Sequence, residues 1–206
     1  MYGKDEHYYV KKPLTESRWG LIQAHLRRHY FEFLTSSSVF SKKRVDSGTR
    51  LLIESMVLPK QGYILDLGCG YGPIGIAAAI TNPGLHVIMV DINERAVWLA
   101  KRNAKHNKAD NTDILQGFLY EPIVGTKFKV ILCNPPLAAG MSVILPIIAG
   151  APEHLKDGGL LELVVKSRVG GRRILAVLRN IFGNVEILDR KSGYRVLLSK
   201  KVLSPK

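Results

Sequence analysis

Cysteine is scarce: the 206 residues contain two, Cys69 and Cys133. That excludes a disulfide framework and fits a reducing compartment, so a cytoplasmic protein is expected. Long apolar runs are missing as well. No stretch approaches the roughly 18 consecutive apolar residues that span a bilayer, and the opening MYGKDEHYYVKK lacks the apolar core of a secretory signal. A chain without membrane association is the expectation. The six histidines show no ligand-type spacing. His25 and His29 fall one helical turn apart but have no cysteine or acidic partner, so no metal site is expected. Internal repeats and low-complexity tracts are absent. What remains is an ordinary globular composition, 46% apolar and 23% charged, long enough for one domain with a full core.

Acidic residues are the other deficit: 17 against 30 Lys/Arg, a net charge of +13. The imbalance is uneven. Residues 1–50 carry ten Lys/Arg against five Asp/Glu, residues 51–164 nine against ten, and residues 165–206 eleven against two. A near-neutral middle between basic ends suggests a neutral catalytic core with an anion-attracting rim. Nucleic acid is the obvious polyanion. A surface that is basic only for solubility is the alternative.

Trp19, Ile22, Leu26 and Tyr30 recur at helical spacing and predict a helix over Glu16–Phe33, part of a basic helical extension covering residues 1–40. Ser36–Ser38 reads as a break, and a second helix is expected over Ser47–Val57, stopping before Pro59. Strand and helix signals then alternate through a domain of residues 41–206. Strands are predicted at Tyr63–Leu67, His86–Asp91, Thr112–Gln116, Lys129–Cys133, Leu160–Val165, Val185–Leu188 and Arg195–Leu198. Helices are predicted over Ile74–Ile80, from the Asn93 cap to about Asn107, over Met141–Leu155 with a kink or break at its prolines, and over Arg172–Ile181. This is the pattern of an α/β, Rossmann-like, seven-stranded and mostly parallel sheet with helices on both faces. The last two strands, joined by the turn Lys191-Ser192-Gly193, form a hairpin and make one strand antiparallel.

Ligands of such sheets bind at the carboxyl ends of the strands, and two motifs fall there. DLGCGYGPIG, Asp66 to Gly75, follows the first strand of the domain. Gly68 and Gly70 let the backbone turn sharply, and the next helix offers free N–H groups. Asp66 would repel a pyrophosphate but suits the cationic amine and sulfonium region of S-adenosyl-L-methionine. Asp91 ends the next strand and can accept both ribose hydroxyls, a contact shared with nicotinamide enzymes. Cys69 contributes its backbone more than its thiol. A purely structural turn and a nicotinamide oxidoreductase are the competing readings.

The second motif is Asn134-Pro135-Pro136-Leu137, directly after Lys129–Cys133. Two prolines fix φ and remove two donors, leaving a stiff turn of carbonyl oxygens and one amide. Such a turn can accept hydrogens from a planar –NH2 and aim its lone pair along the incoming C–S axis. No strong base is needed, because the proton formed after transfer can leave to water. Cys133 reads as a strand residue. The alternative is a rigid loop without a catalytic role.

The order DLGCGYG, VDIN, CNPP resembles the class I methyltransferases that modify exocyclic or amide nitrogens. VFSKKRVDSGTRLL, Val39–Leu52, narrows the resemblance to the RsmC-type enzymes, which make N2-methylguanine in small-subunit ribosomal RNA. FGNVEILDRKSGYRVLLSKK is similar to the ending of their small, single-domain archaeal relatives, and the resemblance covers most of residues 36–201. It implies that Asp66, Gly68, Cys69, Gly70, Tyr71, Asp91, Ile92, Phe118, Leu119 and Asn134 bind S-adenosyl-L-methionine. It implies that Asn134, Pro135 and Pro136 hold the target amine, and that Phe40, Ser41, Asp46, Thr49 and Leu137 contact the substrate. Asp46 also reads as a helix cap and Phe40 as a core aromatic.

Two positions depart from the family pattern. Gly117 and Phe118 stand where many relatives place an acid for the adenine amino group, and Leu137 where base-flipping enzymes often carry an aromatic. The implied substrate is RNA, ribosomal RNA or an assembling small subunit, with no metal and no membrane. Methylation of adenine N6 or of a protein glutamine amide, and a non-catalytic RNA-binding module, remain open. Arg168, Arg172 and Arg173 would contact phosphates or simply face solvent.

Overall fold

In the computed structural model, residues 19–36, 44–123, 125–167 and 171–202 are described. A hairpin comes first, β1 (Trp19–Leu26) and β2 (His29–Ser36), followed by α1 (Ser47–Ser55). Then come β3 (Gly62–Leu67), α2 (Pro73–Thr81), β4 (Leu85–Asp91), α3 (Glu94–His106), β5 (Thr112–Gln116) and β6 (Phe128–Cys133). The chain continues through α4 (Met141–His154), β7 (Leu155–Lys166), α5 (Gly171–Phe182), β8 (Glu186–Lys191) and β9 (Tyr194–Lys200). Strands β3 to β9 form one sheet in the order β5-β4-β3-β6-β7-β9-β8. Neighbours run parallel except β9, which is antiparallel to both β7 and β8. This is the expected Rossmann-like, seven-stranded architecture. Chain order reverses between β3 and β6, so their carboxyl ends open the crevice in which such folds bind ligands.

The sheet is covered on both sides because its central strands are apolar on both. Ile64, Met89, Val130 and Val196 point to one face, where Leu52 of α1, Ile76 of α2 and Leu99 of α3 meet them. Leu65, Ile88, Ile131 and Leu163 point to the other, under Ile147 of α4 and Leu178 of α5. Among the described residues, no helix is long and apolar enough to cross a membrane.

The helix expected over Glu16–Phe33 is not formed where the chain is described; the hairpin replaces it. Of the four residues at helical spacing, Trp19 is 56% and Tyr30 86% exposed. The face that enters the core instead alternates: Ile22, Ala24 and Leu26 on β1, Phe31 and Phe33 on β2. Burying each large side chain contributes about 1.5–3 kcal/mol, and the strand pattern buries more of them. The turn was hidden because Arg27 and Arg28 occupy it with φ of 44° and 68°, in left-handed positions normally signalled by Asn or Gly. Arg27 offsets that strain through its contacts. Its guanidinium donates to the carbonyls of Ile53 and Met56 at the end of α1, and its backbone N–H to the Glu54 carboxylate.

The free edge of β2 is capped by two amides, Asn103 on α3 and Asn107 at its C-terminal cap. Asn103 accepts from Leu34 N–H (2.7 Å) and donates to Leu34 O (3.0 Å). One turn later Asn107 does the same for Glu32, at 3.2 and 2.9 Å. The two side chains act as a substitute strand and satisfy groups that would otherwise template association. The hairpin thus joins the same core cluster as α1, α2 and α3.

Helix α4 is continuous, without the predicted break at Pro146. Pro146 and Ser142, whose carbonyl loses its helical donor, both lie on the exposed side, where water can replace the bond. Ser37, Ser38, Phe40, Ser41 and Arg168 lie outside the described residues.

Candidate functional site: a cleft at the carboxyl ends of β3, β4 and β6

The turn after β3 is built by backbone bonds to β4. Gly68 and Cys69 donate to the Val90 carbonyl (2.8 and 3.0 Å), and Gly70 donates to Asp91 Oδ2 (2.8 Å). Gly68 and Gly70 take φ of 75° and 58°, and a Cβ on either would point into open space. Their bareness therefore serves the backbone angle and whatever enters the cleft, not packing. Gly72 starts α2, with Pro73 in its first turn.

Asp66 is fully buried beneath this turn. Its Oδ2 accepts from Gly75 N–H at 2.8 Å, while Oδ1 has no partner among the described residues. Desolvation pushes its carboxyl up to about 7, only partly opposed by the Gly75 bond. Asp66 thus supports the turn from below rather than lining the cleft. Asp91 does line it, and each of its oxygens holds one backbone donor, Gly70 and Asn93, both at 2.8 Å. A carboxylate accepts about four hydrogen bonds, so capacity remains for two hydroxyls. Burial raises the Asp91 carboxyl above its usual range.

The cleft encloses about 1150 Å³ of empty space, its open mouth included. It gathers Gly68, Cys69, Gly70, Tyr71, Asp91, Ile92, Phe118 and Leu119 from the expected cofactor residues, and Asn134, Pro135 and Pro136 from the acceptor turn. The two motifs therefore face one space. Phe118, 42% exposed, forms an apolar wall next to Gly117. Both thiols are buried and pushed well above their ordinary range, which leaves Cys69 and Cys133 protonated and unsuited to nucleophilic work.

On the acceptor side, Asn134 Nδ2 donates to Thr49 Oγ1 at 2.8 Å. That bond turns the amide so that Oδ1 is left for another donor. Thr49 is buried on the first turn of α1, whose N-terminus is held by Asp46: Oδ2 accepts from Gly48 and Thr49 N–H. The Tyr194 hydroxyl donates to Asp46 Oδ1 at 3.4 Å. Asp46 is accordingly a cap at this site, and Thr49 lines the cleft. Leu137 opens a single 3-10 turn after Pro136 and packs against the α4 side of the core instead of lining the cleft. Sequence reasoning missed Val143 and Ile147 of α4 and Ala96 of α3 as cleft walls; their helical spacing marked them only as core. It also missed the Thr49–Asn134 pair, which 85 residues of chain separate.

Comparison with known proteins adds the decisive observation. Residues 30–198 match the family model described as "Methyltransferase small domain". The chain belongs to that family. It is a class I, S-adenosylmethionine-dependent methyltransferase fold of the RsmC-like kind. It is 41% identical over 199 residues to the uncharacterized protein YbxB of Bacillus subtilis, covering 96% of this chain and 99% of that one. It is 32% identical over 202 residues to the ribosomal RNA small subunit methyltransferase C of Aeromonas hydrophila, covering 94% of this chain and 57% of the relative. Among solved structures, the T. thermophilus 16S rRNA N2 methyltransferase RsmC, in complex with AdoMet and guanosine, superposes with a TM-score of 0.81 at 25% identity. That match covers 92% of this chain and 52% of the other. The chain thus spans YbxB almost entirely and about half the length of the ribosomal RNA methyltransferases it resembles.

Proposed function

We propose that this chain transfers a methyl group from S-adenosyl-L-methionine to an exocyclic amine of RNA, with guanine N2 of small-subunit ribosomal RNA as the target. The observation that carries the proposal is the Asn134 amide, oriented by Thr49 with Oδ1 left without a donor among the described residues, in the same cleft as the glycine turn. The cofactor half fits its ligand. The Asp91 carboxylate suits a ribose, the buried Asp66 beneath the turn adds negative potential toward a cationic end when ionised, and the open space above Gly68 and Gly70 leaves room for such a molecule. Phe118 offers a face for adenine. When bound, S-adenosyl-L-methionine supplies an electrophilic methyl group on a sulfonium.

The chain's own residues then need to position the acceptor. Asn134 Oδ1 and the Pro135 carbonyl accept the two amine hydrogens, drawing the nitrogen toward the pyramidal, partly positive shape of the transition state. Pro135 and Pro136 remove competing N–H donors and stiffen the turn. Among the described residues no titrating base lines the acceptor turn, and the released proton leaves to water.

RNA as the acceptor is supported by the edge beyond Asn134. Lys166 ends β7, Arg190 and Lys191 end β8, and Arg195 follows Tyr194 at the start of antiparallel β9, which brings all four to the carboxyl edge. Arg172 and Arg173 open α5 nearby. None of these six forms an ion pair among the described residues. Such unopposed charge beside an acceptor cradle suits a phosphate backbone. Incubating the protein with methyl-labelled cofactor and total RNA, DNA or ribosomal protein tests this. Label in RNA, recovered as N2-methylguanosine by nucleoside mass spectrometry, is expected. Label confined to protein would overturn the RNA assignment, and label recovered as N6-methyladenosine the guanine assignment.

A further inference from the structure

The chain has two tryptophans, and the fold brings both to one exposed shelf outside the cleft. Trp19 opens β1, and Trp98, 41% exposed, stands on the outward side of α3. Their ring centroids are 5.2 Å apart at an interplanar angle of 45°. The Arg102 guanidinium lies 4.3 Å from the Trp98 ring centre, a stacked cation–aromatic pair. A shallow groove runs from Leu34 past Trp98 between Lys101, Arg102, Lys105 and His106. Lys101, Arg102 and Lys105 have no ion-pair partner among the described residues. Glu32, the acid that β2 presents beside the groove, is already engaged by Gln23 and His106.

Core burial is the usual fate of large indoles, and an exposed apolar patch of this kind marks an interaction surface. Its chemistry selects the partner. Indole faces accept any unstacked base, a guanidinium extends the stacking surface, and unopposed lysines neutralise phosphates. The shelf also has a short connection to the cleft. Asn103, on the next turn of α3, donates both to Leu34 O and to the Tyr71 carbonyl, and Tyr71 lines the cleft.

We infer that the Trp19–Trp98–Arg102 shelf binds a single-stranded stretch of the RNA that carries the nucleotide being methylated. The inference rests on the RNA reading above, but its test reads a different part of the molecule. With no other tryptophan in the chain, emission excited selectively at tryptophan reports on this shelf alone. Titrating the full chain with a single-stranded oligoribonucleotide at low salt should quench that emission saturably, with affinity falling steeply as salt is added. Trp98→Ala and, separately, Arg102→Glu should each weaken binding roughly tenfold by anisotropy of a labelled oligonucleotide. Adenosylhomocysteine affinity and melting temperature should stay near the parent values in both.

Unchanged emission at saturating oligonucleotide, or parent-like RNA affinity in both variants, overturns the inference even where RNA is methylated. So does free-protein emission already blue-shifted and shielded from acrylamide, which would mean that another segment or a second copy occupies the shelf. Quenching that persists while label never enters RNA sinks the catalytic reading and leaves the shelf standing.

Discussion

The two halves of the sheet's carboxyl edge present different chemistry. Around β4 and β3 the working groups are carboxylates held by backbone amides: Asp91 by Gly70 and Asn93, Asp66 by Gly75. Beyond β6 they are a neutral amide locked by a hydroxyl, followed by cations from Lys166 to Arg195 that form no ion pair among the described residues. In the proposed reaction, the first half meets a cationic, ribose-bearing donor with Asp91 lining the cleft and Asp66 beneath the turn. In the same proposal, the second positions an uncharged nitrogen through geometry and attracts its polyanionic carrier over a longer range. A cleft at the switch between β3 and β6 lets one fold keep these demands apart.

The sharpest way to break this division is Asn134→Ala. The acceptor half then loses its oriented oxygen, and kcat should fall by about 10²–10³, the usual cost of removing one preorganised polar group at the reacting centre. Adenosylhomocysteine affinity, measured by calorimetry, should be largely kept. A loss of cofactor affinity matching the loss of turnover would show that the halves are not separable. Thr49→Val refines the test. The amide loses its anchor, and about tenfold in kcat is expected from one hydrogen bond, with Thr49→Ser restoring most of it.

On the other half, Asp91→Ala frees the Gly70 and Asn93 amides and removes the acceptor proposed for the ribose. Cofactor affinity should drop by about 10–100-fold, from one or two charge-assisted hydrogen bonds. At saturating cofactor, kcat should move little. The opposite pattern, intact affinity with lost turnover, would place Asp91 on the acceptor side of the chemistry.

These two halves were unequally legible in the sequence. Thr112–Gln116 was readable as β5 and Asn93 as the cap of α3, because alternation and capping are local signals. The glycine turn and Asn134-Pro135-Pro136 were legible for the same reason: each packs its chemistry into a few consecutive residues. Partnerships made in space were not. Nothing in Thr49 announces Asn134, and Asn103 and Asn107 look like poor helix formers until β2 is seen to need them. The hairpin was misread because Ile22 and Leu26 satisfy both a four-residue helical step and a strand alternation, and Arg27-Arg28 hides the turn. Tertiary burial of Phe31 and Phe33 decided between the two patterns.

A gentler contrast uses the one buried acid on each half. Asp66 in β3 and Glu162 in β7 each give one oxygen to a backbone donor, Gly75 and Val57, and leave the other without a partner. Desolvation pushes their carboxyls up to about 7 and about 8. Since the folded state holds these protons more tightly than the unfolded chain, the contribution of these two groups is greatest at low pH and is lost as pH rises from about 4 to about 8. Glu162→Gln should flatten its share of that fall, on the order of a few kcal/mol at pH 8, as read by urea unfolding at several pH values. It should leave the pH profile of cofactor binding alone, because Glu162 lies against Val57 away from the cleft. Asp66 should, in addition to its share of that fall, shape cofactor binding. A cationic donor above the turn favours its ionised form, so S-adenosyl-L-methionine affinity should rise several-fold between pH 6 and pH 8, with proton release detectable by calorimetry in buffers of different ionisation enthalpy. Asp66→Asn should abolish that rise. If the Asn variant keeps the profile, the charge that meets the donor is Asp91 alone, and Asp66 only braces the start of α2.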